Sequence, residues 1–256
     1  GSVIPPSPIP GLDVVGYLDS DAMLESTRIP ASVTVLGGGA IALEAASFYA
    51  GVGSRVTLIQ RSSRVLKNLD PDVSDAVLEA MRKQNIRIET GVEVRACHAD
   101  QSGKIIQCAR ESSIFDIVSE EIVSALGRIP ATSEMGLSSA GVVLEGARIL
   151  IEKTQQTTCP HIFAAGDVCG PLEVVHLAIQ QGEIAARNAC KLMRASNEPL
   201  EKMDYDLKLF AVFSEPAVSS VGLSEVEAAL AGIPFLSASY PFGDHGKSMV
   251  EGHADG

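Results

Sequence analysis

From residue 31 onward, short runs of β-branched residues alternate with longer amphipathic stretches, the pattern of strands exchanging with helices. Val33-Thr34-Val35-Leu36 is an apolar run of strand length that stops at Gly37-Gly38-Gly39. The small-residue stretch 41–49 predicts a helix, and Arg55-Val56-Thr57-Leu58-Ile59 predicts a second strand. Strand, glycines, helix and strand within one sheet require a right-handed crossover and parallel pairing. A further helix is expected from Asp70, a good N-cap type, with Pro71 in its first turn and Val73, Val77, Ala80 and Met81 on one face. Residues 86–88 predict a third short strand. Residues 92–96, 105–109 and 114–118 then predict an antiparallel meander whose first turn is Gln101-Ser102-Gly103. Residues 121–126 predict a returning strand that leads into Gly127-Arg128-Ile129-Pro130.

On either side of this block the pattern changes. Gly1-Ser2 reads as a scar of tag removal and is set aside. Residues 3–13 carry Pro5, Pro6, Pro8 and Pro10, which predicts an extended or turn-like segment outside the core. Beyond Pro130, a strand is expected at 161–165, followed by Gly166-Asp167 and a long helix over 174–193. Ala178, Gly182, Ala185, Ala186 and Ala189 give that helix a small-residue side suited to close packing. A polar link at 196–206 precedes two apolar strands, 209–213 and 217–221. Ser224 and Glu227 then form a capping box that opens a helix, and a last strand is expected at 235–240.

Composition narrows the function without naming it. Apolar residues at 46% and charged residues at 20% are those of an ordinary globular protein, and 256 residues accommodate two domains. A net charge of −12 argues against nucleic-acid or anionic-membrane partners. No apolar run is long enough to span a membrane, and no charged-then-apolar leader suggests secretion. The five cysteines show no metal-ligand spacing and read as reduced thiols of a cytoplasmic protein. Cys97 and Cys108 lie symmetrically about the Ser102-Gly103 turn, close enough to face each other, yet free thiols are expected.

The glycine-rich turn carries the chemistry. Gly37-x-Gly39-x-x-Ala42 fits the dinucleotide fingerprint in its Gly/Ala form. Gly37 permits the tight turn, Gly39 lets a pyrophosphate approach the backbone, and Ala42 allows the helix to pack closely on the strand. The helix start presents free N–H groups and a positive dipole end to phosphates. The second strand ends about twenty residues later, where the ribose is read. An NAD site places Asp or Glu there; this chain has Gln60, followed by Arg61, Ser62, Ser63 and Arg64. Two guanidiniums and two hydroxyls suit a phosphate dianion, so NADPH is favoured over NADH.

With these motifs in hand, the chain resembles the class I pyridine nucleotide–disulfide oxidoreductases, the family of dihydrolipoamide dehydrogenase, glutathione reductase and mercuric reductase. Gly37-Gly-Gly-Ala-Ile-Ala-Leu-Glu44 resembles the family's NAD(P)H motif, and Ala125-Leu-Gly-Arg-Ile-Pro130 its return into the flavin domain. Ile162-Phe-Ala-Ala-Gly-Asp167-Val resembles its second flavin motif, and residues 209–228 the start of its dimerisation domain. The Gly-Pro-Leu-Glu-Val-Val-His176 stretch is closer to dihydrolipoamide dehydrogenases, many of which use NADH.

The resemblance implies an α/β fold: a Rossmann-like NAD(P)H-binding domain with an antiparallel meander at 31–126, preceded by an extended leader and linker at 1–30. Part of a flavin (FAD) domain would follow at 127–200, and part of an α+β dimerisation domain at 201–256. It implies nucleotide contacts at Gly37, Gly38, Gly39, Ala40, Ile41, Glu44, Gln60, Arg61, Arg64 and Val94. Further cofactor contacts would fall at Gly127, Arg128, Asp167 and His176, with Asp167 on the FAD ribityl chain. No residue is assigned as catalytic or as a metal ligand, because the family's Cys-x-x-x-x-Cys helix and His–Glu pair are not found in this sequence. The implied activity is hydride transfer from NADPH to FAD and onward to a disulfide or similar acceptor, in a homodimeric parent of which this chain is an inactive fragment. The alternative is a non-catalytic nucleotide-binding module that acts with a partner chain.

Overall fold

The proline-rich opening does not stay outside the core. The chain turns at Pro10 and Gly11 so that Leu12, which opens the short helix α1 (Leu12–Val15), is fully buried among Leu36, Ile59, Cys97, Ile106 and Ile122. The carbonyl of Pro10 accepts from the Cys97 N–H (2.8 Å), and a side chain at Gly11 would run into the Cys97 carbonyl. The prolines fix only the local backbone, and one leucine at their end finds a hydrophobic site. A second helix, α2 (Ser20–Glu25), is capped by Asp19, whose carboxylate accepts from the Asp21 and Ala22 N–H groups.

The computed structural model describes residues 1–256 and divides into two compact units. One comprises Pro6–Gly127 with Ala211–Gly256, the other Gly1–Pro5 with Arg128–Phe210.

In the first unit, β1 (Ser32–Leu36) is buried on both faces, as the centre of a parallel sheet must be, with its one fully buried polar side chain, Thr34, donating to Ser119 Oγ (2.9 Å). The helix α3 (Ala40–Gly51) returns the chain to β2 (Arg55–Gln60), which pairs with β1 in parallel, Val33 opposite Val56. After α4 (Pro71–Lys83), β3 (Arg87–Thr90) adds on the far side of β2. Three antiparallel strands follow, β4 (Glu93–Asp100), β5 (Gly103–Arg110) and β6 (Ser113–Ser119), and then β7 (Glu121–Ser124) returns beside β1. The parallel sheet therefore reads β3-β2-β1-β7, with the meander as a separate three-stranded sheet. These elements match the expected strand–helix alternation to within a few residues at each end.

Asp70 departs from expectation. It precedes α4, but its carboxylate makes no cap bond there and instead accepts from the Glu225 and Val226 N–H groups. Those amides open α6 (Glu225–Leu230), where the expected Ser224–Glu227 capping box is also formed. A carboxylate is stabilised by any helix N-terminus within reach, so tertiary proximity outweighed the local position.

Cys97 pairs with Ile106 and Cys108 with Val94, because a register shift lies between Val94 and Ala96. The two thiols are diagonal neighbours in one buried cluster, not opposite partners, and all five cysteines are free. Burial pushes the thiols of Cys97, Cys108 and Cys169 up from 9.0 to about 11. The native state then holds these protons more tightly than the unfolded chain. The stability this contributes is complete below pH about 9 and is lost as the pH rises towards 11. Denaturant melts at pH 8 and 10.5 should show a lower midpoint at the higher pH, and that drop should shrink in a Cys97→Ala/Cys108→Ala variant.

In the second unit, Ser2 and Val3 form a short antiparallel ladder with Pro130 and Ile129, and Leu144–Glu145 pairs with Arg148–Ile149. Residues 161–165 are not a strand. Their bonds run to 155–159, and only Gln156 and Phe163 form a bridge. Gln155, with φ +66, breaks the segment that would have been its partner. The long helix α5 (Val175–Met193) buries Leu177, Gln181, Ile184 and Asn188, whereas the small residues flank that face or, like Ala186, point outward.

Near the chain's end, β8 (Leu209–Val212) and β9 (Val218–Val221) form a two-stranded sheet. The strand expected at 235–240 is absent; the segment is exposed and has no pairing partner, without which an extended run is not held. The chain ends with the short helix α7 (Gly246–Glu251).

Candidate functional site

The turn between β1 and α3 is held from both sides. The Gly37 N–H donates to the Ile59 carbonyl (2.9 Å) and the Ala125 N–H to the Leu36 carbonyl (2.9 Å). Gly37 sits at φ +124, and an added Cβ would collide with the Ala125 carbonyl oxygen, so both backbone conformation and space demand glycine. Gly39 is different. It is the N-cap of α3, its backbone is extended, and nothing lies within 4 Å of where its Cβ would be. No side chain caps α3, so its first-turn N–H groups face that open space. Ala42, Ala45 and Ala46 are fully buried, which lets the helix lie close on the sheet. An open, uncapped helix start behind a bare glycine fits a diphosphate.

At the end of β2, the Gln60 side chain bends into the loop that follows. Its Nε2 donates to Ser62 Oγ (2.6 Å) and to the Arg64 carbonyl (3.4 Å), and its Oε1 accepts from the Arg61 N–H (3.2 Å). Ser62 Oγ also donates to the Arg64 carbonyl (2.8 Å). The exposed Arg61 and half-buried Arg64 have no carboxylate within ion-pair distance, a state shared with Arg55, Arg82 and Arg194 but not with Arg28, Arg87, Arg95, Arg110, Arg148 and Arg187; only Arg61 and Arg64 stand together in one loop. Two unpaired guanidiniums stand here in a chain of net charge −12.

Gly37, Gly38, Gly39, Ala40, Ile41, Gln60, Arg61 and Arg64 thus gather at one end of the parallel sheet, around the start of α3. Glu44 lies one turn further along α3, where its carboxylate accepts from the Phe213 N–H (2.9 Å). Val94 packs, partly buried, on the core cluster under the meander. Gly127 has φ +115 with open space around it.

Arg128, Asp167 and His176 lie in the other unit. There Arg128 donates from Nε to Ser2 Oγ (2.8 Å) and from Nη2 to the Ser2 carbonyl (2.9 Å), and Ser2 Oγ donates to Asp167 Oδ2 (2.7 Å). His176 is exposed in the first turn of α5 and stands apart from this chain of bonds.

Sequence reasoning missed Gln181. It is 1% exposed on α5; its Oε1 accepts from the Gly166 N–H (2.7 Å) and its Nε2 donates to the Gly170 carbonyl (2.6 Å) and Tyr205 OH (2.9 Å). One amide thereby closes the turn that carries Asp167. The available signal was its spacing, since Leu177, Gln181, Ile184 and Asn188 fall on one helical face with two amides among the apolar residues.

The family described as pyridine nucleotide-disulphide oxidoreductase matches residues 1–182 of the chain. The chain belongs to that family. Among its relatives, a mercuric reductase of Bacillus cereus is 33% identical over 250 residues, covering 97% of this chain and 38% of that protein. A dihydrolipoyl dehydrogenase of Chlamydia pneumoniae is 32% identical over 253 residues, covering 98% of this chain and 52% of that one. Among solved structures, the HOCl-induced flavoprotein disulfide reductase RclA from Escherichia coli superposes with a TM-score of 0.84 at 26% identity, over the whole of this chain and 57% of that one. The chain therefore spans roughly 38–57% of these relatives' lengths. It has the mixed α/β fold expected from the family resemblance, with a parallel Rossmann-like sheet and an antiparallel meander. No helix is long and apolar enough to cross a membrane.

Proposed function

We propose that this chain contributes the NADPH-binding domain (31–126), the second part of the FAD-binding domain (127–200) and the start of the dimerisation domain (201–256) to an FAD-dependent oxidoreductase. Its electrons would pass from NADPH to a disulfide or similar acceptor. The observation that carries this reading is the pair of unpaired guanidiniums, Arg61 and Arg64, beside an open, uncapped helix start. In this reading Gly37, Gly38, Gly39, Ala40 and Ile41 hold the pyrophosphate on backbone N–H groups and the α3 dipole. Gln60, Arg61 and Arg64 form the 2′-phosphate end, Glu44 lies towards the nicotinamide, and Val94 is a further cofactor-binding residue. Asp167 holds the FAD ribityl chain, and Gly127, Arg128 and His176 are further cofactor-binding residues. FAD, when bound, supplies the two-electron acceptor between nicotinamide and substrate. The chain's own part is to bind, to orient and to neutralise charge.

No two of the five cysteines have Cys-x-x-x-x-Cys spacing, so no disulfide-handling step is assigned to these residues, and the chain by itself is expected to turn nothing over. A homodimeric whole protein is supported by the exposed apolar side chains of Phe213, Leu230, Leu236 and Val250 near the chain's end. A cytoplasmic location follows from the reduced-thiol reading of the cysteines.

Arg61→Ala tests the reading. It should weaken NADPH binding by about tenfold, the loss of one exposed charge-assisted contact. NADH binding should change by less than about twofold, because the lost contact is to the 2′-phosphate. Equal losses for both nucleotides by calorimetry would remove Arg61 from the 2′-phosphate site.

A further inference from the structure

The middle residue of the glycine turn is the variable position of the dinucleotide fingerprint. In this chain it is Gly38, and φ does not explain it, since Gly38 is not among the glycines in the left-handed region. Space does. The three atoms nearest to a Cβ placed on Gly38 all belong to one side chain, with Gln60 Cδ at 2.8 Å, Cγ at 2.9 Å and Nε2 at 3.1 Å. The Gln60 side chain lies directly over the bare Cα. From there its amide reaches Ser62 Oγ, the Arg64 carbonyl and the Arg61 N–H. The same glycine is also bonded to the loop's far end, since its carbonyl accepts from the Leu66 N–H (2.7 Å). The Ser62 carbonyl accepts from the Gly91 N–H (3.0 Å), which fixes the loop's middle.

We propose that Gly38 and Gln60 form a joint that sets 2′-phosphate specificity: Gln60 is a positioning residue that folds the 60–66 loop, and Gly38 supplies the room it needs. The two guanidiniums then meet the phosphate already placed, because the loop between them is closed by the Gln60 amide and not by the ligand. A residue of the pyrophosphate turn thereby controls affinity for a phosphate bound at the ribose. This inference rests on the NADPH reading above. It differs from a direct ribose contact by Gln60 in what it expects of NADH, which carries the ribose without the 2′-phosphate.

The experiment is calorimetric titration of the full chain with NADPH and with NADH, for wild type, Gly38→Ala, Gln60→Ala and the double variant. Gln60→Ala should lower NADPH affinity by about tenfold and NADH affinity by less than about twofold. Gly38→Ala, which also touches the pyrophosphate turn, should lower NADPH affinity by about tenfold more than it lowers NADH affinity. The double should lose no more NADPH preference than Gln60→Ala alone, as expected of residues that act through one contact. Equal losses for both nucleotides in Gln60→Ala, or additive losses in the double, would overturn the joint. Wild-type chain that binds no NADPH would defeat the cofactor reading instead, and amide exchange on the nucleotide-free chain then judges the joint. Gly38→Ala should speed exchange at the Arg61 and Leu66 amides by about tenfold; unchanged rates there would refute it.

Discussion

Gly39→Ala should leave the fold intact to within about 1 kcal/mol, the scale of an N-cap change, yet weaken NADPH binding by at least about tenfold. Gly37→Ala, two residues earlier, should do the reverse in kind, costing about 2–4 kcal/mol of stability before any ligand is added. The contrast comes from what each Cβ would meet. At Gly39 it would meet nothing within 4 Å, so only an incoming ligand can object to it. At Gly37 it would meet the Ala125 backbone carbonyl at a residue with φ +124, and neither side of the turn can retreat. The start of that turn is tied on both sides, Gly37 to Ile59 and Leu36 to Ala125. Thermal melts and NADPH titrations of the two variants separate the effects. Gly39→Ala chain that binds NADPH as well as wild type would mean that the pyrophosphate does not lie over this glycine.

Gln181→Leu is the second large effect, at about 3 kcal/mol of lost stability. Leucine fills a similar volume, so the cost comes from hydrogen bonds and not from a cavity. The substitution leaves the Gly166 N–H and the Gly170 carbonyl buried without partners, and removes a donor to Tyr205. Each buried orphan costs about 1–3 kcal/mol. The damage should be local, because Gly166 and Gly170 bracket the turn that carries Asp167. Hydrogen exchange at Gly166 should lose its protection while the amides of β1 and β2 keep theirs. Protection lost equally in both places would show general destabilisation and not the release of one turn.

The parts of this protein that could be read from its sequence are those whose cause is local. A β-branched run stopped by glycines, with a small-residue helix behind it, admits few alternatives, and β1, α3 and β2 formed where expected. The capping box at Ser224 was equally self-contained. What could not be read depended on partners distant in the chain. Leu12 looks like one apolar residue after a run of prolines until Cys97 and Ile106 are brought beside it. Asp70 has the right type for its own helix and was claimed by another. Residues 161–165 have strand composition, but their partner segment is broken at Gln155. In the site, the spacing pointed to Gln60, Arg61 and Arg64 together. It did not show that the Gln60 amide would be occupied inside the loop, nor that Gly38 was bare on its account.

The most direct test of the cofactor assignment is the ratio of two dissociation constants, for NADPH and for NADH, measured by calorimetry on the unmodified chain at one ionic strength. Unpaired guanidiniums at Arg61 and Arg64 predict that NADPH binds at least about tenfold more tightly, with the gap narrowing as salt is raised. Equal affinities, or tighter NADH, would contradict the assignment and leave those two arginines as solvated surface charge.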